Sequence, residues 1–207
     1  MAGVSGFTQM FHFGDDEGES PLEEPKPPRW FGPPESELGV VLPQSIVLAH
    51  SERGVVALSH AVVYSTGVAF DFVAQARGLV LSEANRVFHE QHMFEEEDLP
   101  DALLRIGFEF ADGSRISNLG GWRSRRTLMS PDAEPEGSVL IPHAGGGGSS
   151  SGGRVTMNPS YWLWPLPPLG PLRISCEWPL VDIVLTTVQI DGTPLVDVAQ
   201  QARSLWP

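Results

Sequence analysis

His89 and His92 stand three residues apart, just before the acidic run Glu95, Glu96, Glu97 and Asp98. On a helix that spacing would put both imidazoles on one face, where with carboxylates they could ligate a divalent cation. The other histidines, His12, His50, His60 and His143, are scattered along the chain. No further ligand falls at a fixed spacing, so the segment reads as a solvated acidic loop and no metal is expected. Cys176 is the single cysteine. A nucleophilic thiol needs a neighbouring histidine and a stabilised thiolate. Cys176 instead alternates with Leu172, Ile174 and Trp178 along one face of a strand, where cysteine acts as a small hydrophobe. The glycines at 145–148 lack the Gly-Lys-Ser/Thr ending of a phosphate loop and open no helix, so no nucleotide cofactor is expected. Acidic residues are plentiful, but no pair can be assigned to one cleft, and no catalytic set can be nominated.

Residues suited to recognition are easier to find. Arg123, Arg125 and Arg126 form the one basic cluster and could bind a phosphate or an acidic segment. Phe7, Met10 and Phe11 would share a helix face, the arrangement of a short peptide that folds into a partner's groove. Around Pro165, Pro167 and Pro168 lie Tyr161, Trp162 and Trp164. On a strand, Trp162 and Trp164 turn to the side opposite Tyr161 and Leu163. Exposed there, the two indoles could grip a protein or a carbohydrate; covered by a loop, they would be core.

The elements that must position these residues are set by composition. Glycine (22) and proline (19) make up about a fifth of 207 residues, which disfavours an all-helical chain. The net charge of −13 excludes the positive surface that nucleic acids and anionic membranes require, and favours basic partners. A lone cysteine needs no oxidising compartment, the N-terminus has no signal-peptide pattern, and no apolar run is long enough to span a bilayer. A soluble cytoplasmic protein is expected. Residues 1–37 hold eight acidic side chains against Lys26 and Arg29, with six prolines. They read as a disordered acidic tail. Its end, Arg29-Trp30-Phe31-Gly32-Pro33-Pro34, should dock on the domain, because two adjacent aromatics are costly to leave in water.

Residues 38–207 read as one β domain. Strands are expected at 46–49, 55–64, 68–74, 106–110, 172–178 and 184–190, with hairpin turns at Ser65-Thr66-Gly67 and Asp112-Gly113. Thr193, as N-cap before Pro194, opens a short C-terminal helix carrying Leu195, Val198, Ala199, Ala202 and Leu205 on one face. The segment 82–97 has poor helical spacing and reads as a loop. The Gly/Ser run 144–153 reads as a flexible loop inserted within the domain. The fold class is therefore mainly β: an antiparallel, immunoglobulin-like sandwich with a C-terminal helix, a closed barrel being the alternative.

Three segments, Arg29-Trp-Phe-Gly-Pro-Pro34, the aromatic and proline-rich stretch from Tyr161 to Leu172, and Cys176-Glu-Trp-Pro179, resemble a family of uncharacterised actinobacterial hypothetical proteins. That resemblance covers most of residues 29–207 and implies no activity. The functional expectation is a non-enzymatic interaction or scaffold module with a protein partner. An enzyme of unrecognised type, or a β-sandwich that binds a small ligand or a metal, is the alternative. A deep pocket ringed by several of His50, His60, Glu109 and Cys176 would favour an enzyme; a shallow aromatic patch would favour binding.

Overall fold

The computed structural model describes residues 27–91, 99–120, 134–143 and 147–206. Among the described residues fourteen strands run in chain order: β1 (Glu37–Leu38), β2 (Val40–Leu42), β3 (Ile46–His50), β4 (Gly54–Val63), β5 (Val68–Arg77), β6 (Arg105–Glu109), β7 (Arg115–Ser117), β8 (Val139–Pro142), β9 (Gly148–Ser151), β10 (Arg154–Met157), β11 (Ser160–Trp164), β12 (Pro171–Trp178), β13 (Ile183–Asp191) and β14 (Arg203–Ser204). Helix α1 spans Leu81–His89 and α2 spans Thr193–Ala199. The pairing is antiparallel throughout, in an eight-stranded sheet, a four-stranded sheet of order β13-β12-β6-β7, and the small β1–β14 ribbon. The fold is an antiparallel sandwich with a short C-terminal helix, and the barrel alternative is not realised.

The ten-residue strands β4 and β5 form the spine of the large sheet. Their alternation sends Val56, Leu58, Ala61 and Val63 inward from β4, and Phe70, Phe72 and Ala74 inward from β5. Ile106, Phe108, Leu172, Ile174, Cys176 and Trp178 face them from the small sheet, and all belong to one core cluster. Each large apolar side chain there contributes about 1.5–3 kcal/mol through removal from water. The turn joining β4 to β5 needs Gly67: a Cβ there would lie 2.4 Å from the Leu163 carbonyl oxygen and 2.6 Å from the Trp162 ring.

The expected docking segment is in place: Trp30 is buried, and β1 just after it pairs with β14. Three sequence expectations are corrected, at the Gly/Ser run, at 82–97 and at the cap of α2. The described part of the Gly/Ser run is a hairpin: β9 and β10 are joined by Gly152 and Gly153, both at positive φ (57° and 73°), the conformation a two-residue turn demands. Small side chains suit β9, since a Cβ on Gly148 would sit 2.5 Å from the Phe88 ring of α1. The segment 82–97 is helical as far as His89. That helix buries only Ala84 and Val87, so its apolar stripe is too narrow to show as periodicity. Glu83 accepts from the Val80 N–H at its start, and the Gln91 amide donates to Val87 and Ala102 carbonyls at its end. In α2 the cap is Gly192, with Thr193 already in the first turn and its N–H donating to Asp191.

Candidate functional site

The outer face of the large sheet, away from the core, has an aromatic half and a polar half. In the aromatic half, Trp162 and Trp164 of β11 stand beside Val139 and Ile141 of β8 and Ala69 of β5. Trp30 packs on Trp164 with ring centroids 6.2 Å apart, and Tyr64 meets Trp162 edge to face at 5.7 Å. The Arg29 guanidinium lies 5.8 Å from the Trp164 ring centre. Trp162 is 0% exposed and Trp164 8%. The two indoles therefore do not form an exposed gripping pair. Alternation correctly put them on the side opposite Tyr161 and Leu163, but the N-terminal segment carrying Trp30 and Phe31 lies over that side.

One edge of this cluster opens to solvent. Trp164, Phe110 and Pro165 line a cleft of about 570 Å³, with Asp112, Arg115 and Glu136 among its polar lining. The β6–β7 hairpin supplies part of the cleft, and its turn is fixed by Gly113 at φ 83° and by Asp112, which accepts from the Ser114 N–H and hydroxyl. Those two bonds hold the Asp112 carboxyl below its ordinary range, so it stays ionised. Arg115 is already matched by Glu109, 2.7 Å away. Phe110 and Trp164 are 4% and 8% exposed, so the cleft offers little aromatic surface, and its distinguishing feature is the fixed negative charge of Asp112.

The polar half is a cross-strand row. Register places His60 of β4 opposite Asp71 of β5, and Asp71 opposite Ser160 of β11; His143, just past β8, donates its backbone N–H to Ser160 O. A register shift between Leu58 and His60 leaves both Ser59 and His60 half-exposed. Ser59 Oγ lies 3.0 Å from His60 Nδ1, and His60 Nε2 lies 3.3 Å from Asp71 Oδ2. The carboxylate favours the tautomer with the proton on Nε2, leaving Nδ1 to accept from the Ser59 hydroxyl. Burial pushes the His143 imidazole below its ordinary value, against the pull of Asp71. Tyr64 is pushed up by burial, then by Asp71 and Glu37. Ser160 Oγ and Trp162 Nε1, two residues apart on β11, are buried without a hydrogen-bond partner among the described residues. Such groups cost about 1–3 kcal/mol each.

This row was missed in the sequence because its members come from four strands. The signal was present: Asp71 breaks the run Phe70, Phe72 on the opposite face, and the turn at 65–66 brings His60 across from it. The other candidates do not assemble. His50 ends β3, Glu109 pairs with Arg115 and Arg173 on the small sheet, and Cys176 is buried with its thiol pushed up to about 11 by burial. Phe7, Met10, Phe11, Arg123, Arg125, Arg126 and His92 lie outside the described residues. Among the described residues, no group of three or more His, Cys, Asp or Glu could hold a metal ion, and no helix is long and apolar enough to cross a membrane. No family model, no curated protein and no solved structure matches the chain.

Proposed function

We propose that the chain is a protein-interaction module that holds a partner and does not turn over a substrate. Its binding surface is the Trp164 cleft. The observation that carries this reading is the open cleft of about 570 Å³, with Phe110, Trp164 and Pro165 beside the ionised Asp112 and the acidic Glu136. A cleft with the exposed Pro165 on one wall and carboxylates beside it suits an extended segment bearing Lys or Arg. The chain's net charge of −13 steers basic segments toward it. The immunoglobulin-like character read from 171–191 is a likeness of fold and adds no function. A cytoplasmic location belongs to the same proposal, supported by a fold that needs no disulfide, its lone cysteine being free and buried.

Gly137 lines the cleft, and a Cβ there would meet open space. Gly137→Leu therefore places a large apolar side chain at the cleft with no clash at its Cβ, and Glu136→Arg reverses one charge beside it. A partner retrieved from the native host by wild type should be lost by about tenfold or more in both variants, with thermal midpoints unchanged. Retention of the partner by both variants removes the cleft from the reading.

A second reading, enzymatic, is favoured by Ser59, His60 and Asp71. In it, Ser59 Oγ bonds to the acyl carbon of an ester while its proton passes to His60 Nδ1. The alcohol leaves with that proton, and water then releases the acid and restores Ser59. A fluorophosphonate probe decides it: label on Ser59, lost in His60→Gln, would support hydrolysis, and an unlabelled Ser59 ends it.

A further inference from the structure

Arg77 of β5 and Arg154 of β10 stand directly opposite each other, like charges on one face of the large sheet. Their strand neighbours Ala76 and Val155 are buried in the core, so alternation turns both arginines to the outer face, with Cβ atoms about 4.5–5.5 Å apart. Like charges so placed destabilise a sheet until something neutralises them. Elsewhere the chain matches its cations: Arg29, Arg53, Arg86, Arg105, Arg115 and Arg173 each pair with a glutamate. Arg203 has no acid beside it either, but it stands alone, opposite Leu38. Arg77 and Arg154 are both exposed, and neither makes an ion pair among the described residues. Arg77 Nε donates to the backbone carbonyl of Glu52 at 2.7 Å, which leaves its charge unmatched. The outward residues nearest the pair, Gln75, Thr156, Ser149 and Ser151, include no acid. In a chain with 26 acidic residues, two adjacent unmatched arginines mark a place for an anion.

We propose that the anion is the chain's own acidic stretch 15–24, which docks on Arg77 and Arg154 and lays the N-terminal tail along the outer face of the large sheet. The stretch holds six carboxylates and no basic residue. Guanidinium–carboxylate hydrogen bonds supply the contact and relieve the repulsion between the arginines. Reach agrees with charge. Trp30 anchors the chain in the aromatic cluster that includes Ala69, on this same face. Arg77 follows Ala69 by eight residues of β5, about 26 Å at 3.3 Å each. Glu24 precedes Trp30 by six residues and Asp15 by fifteen, and an extended proline-rich chain at about 3.1 Å per residue carries them about 19 and 47 Å. The arginine pair falls inside that range. Tethering sets an effective concentration in the mM range, so exposed charge pairs too weak to hold separate molecules together suffice here. Asp71, which lies between the anchor and the arginines, repels the stretch and confines the contact to the arginine end. The inference does not rest on the Trp164 cleft, which lies beyond the other end of β5.

A nitroxide on Ser20→Cys in the full chain tests it, because Ser20 lies within the acidic stretch and the buried Cys176 stays unlabelled. At low salt the backbone amides of Gln75, Arg77, Arg154 and Thr156 are expected to lose most of their NMR intensity through proximity to the label. The intensity should return near 1 M salt, where the Debye length falls to about 3 Å. It should also return at low salt in the double variant Arg77→Gln, Arg154→Gln. Should that variant fold poorly, Asp15→Asn, Asp16→Asn, Glu17→Gln and Glu19→Gln together give a separate reading, since they alter the tail alone; they too should restore the intensity. Full intensity at the arginine end at low salt overturns the proposal, as does a loss that survives the arginine substitutions. Broadening confined to residues 162–164, beside the anchor, overturns it, and broadening confined to 123–126 overturns it in favour of that basic cluster. In a mixture of spin-labelled chain and isotope-labelled chain without the nitroxide, intensities should stay unchanged; broadening there overturns the proposal in favour of the tail of a second copy.

Discussion

Trp178 and Cys176 end the central strand of the small sheet inside the core, and each has its polar atom settled. The Trp178 ring is 0% exposed, and its Nε1 donates to the Ala102 carbonyl at 3.1 Å. The Cys176 thiol has no charged neighbour to stabilise a thiolate, and burial alone raises it to about 11. Trp178→Ala removes a side chain whose surroundings are held by both sheets, so little collapse can fill the space. The expected cost is roughly 3–5 kcal/mol, read by denaturant unfolding. Cys176 should resist thiol reagents until the protein unfolds; rapid labelling of the native protein would contradict that placement. Both residues were legible in the sequence, since alternation over 172–178 assigns a face. The same reasoning gave the face of Trp162 and Trp164 but not their burial. Alternation says which way a side chain points, and only the tertiary structure says what lies over it.

The segment around Trp30 shows how one short element changes the character of a sheet. Phe31 donates its N–H to Pro28 O in a turn, and Trp30 enters the aromatic cluster on the outer sheet face, 5% exposed. The docking of this pair was expected from its apolar surface; its location was not, because nothing local links residue 30 to residue 164. Trp30→Ala should cost about 3 kcal/mol, the low end for a tryptophan, since a cluster at the sheet surface can partly close over the gap. It should also expose Trp164, seen as a red-shifted emission. An unchanged midpoint and spectrum would mean that Trp30 contributes little to covering the outer face. The two misread elements, α1 and β9, share a cause. Each makes a narrow contact with the other through Phe88 and Gly148, and neither carries enough apolar residues to reveal its period. The long strands β4, β5, β12 and β13 were readable because their patterns repeat over eight residues or more.

Across the whole molecule, the titrating groups bound a window of maximal stability. On the acid side, burial holds His143 below its ordinary 6.5, so the unfolded chain binds the proton more readily and stability falls as pH drops through about 6.5. Glu109 is held below 4.5 by Arg173 and Arg115, and Asp191 below 3.8 by Thr193. Their contributions are present above those ordinary values and are lost as pH falls through the depressed ones. On the alkaline side, burial raises Cys176 from 9.0 to about 11 and Tyr161 from 10.0 to about 12. Stability from these two is complete below 9 and is lost as pH rises toward 12. The net charge works the other way in acid, since −13 shrinks toward zero near pH 4.7 and self-repulsion is relieved. That long-range effect is screened at high salt, whereas buried groups are screened much less. Thermal midpoints measured near 0.5 M salt should therefore form a plateau between about pH 7 and 9, falling on both sides. His143→Gln should flatten only the slope from about pH 7 to 5, and Cys176→Ala only the slope above 9, each without moving the other limb. If His143→Gln leaves the acid limb unchanged, the histidine is not desolvated as placed, and the surface carboxylates alone account for acid unfolding.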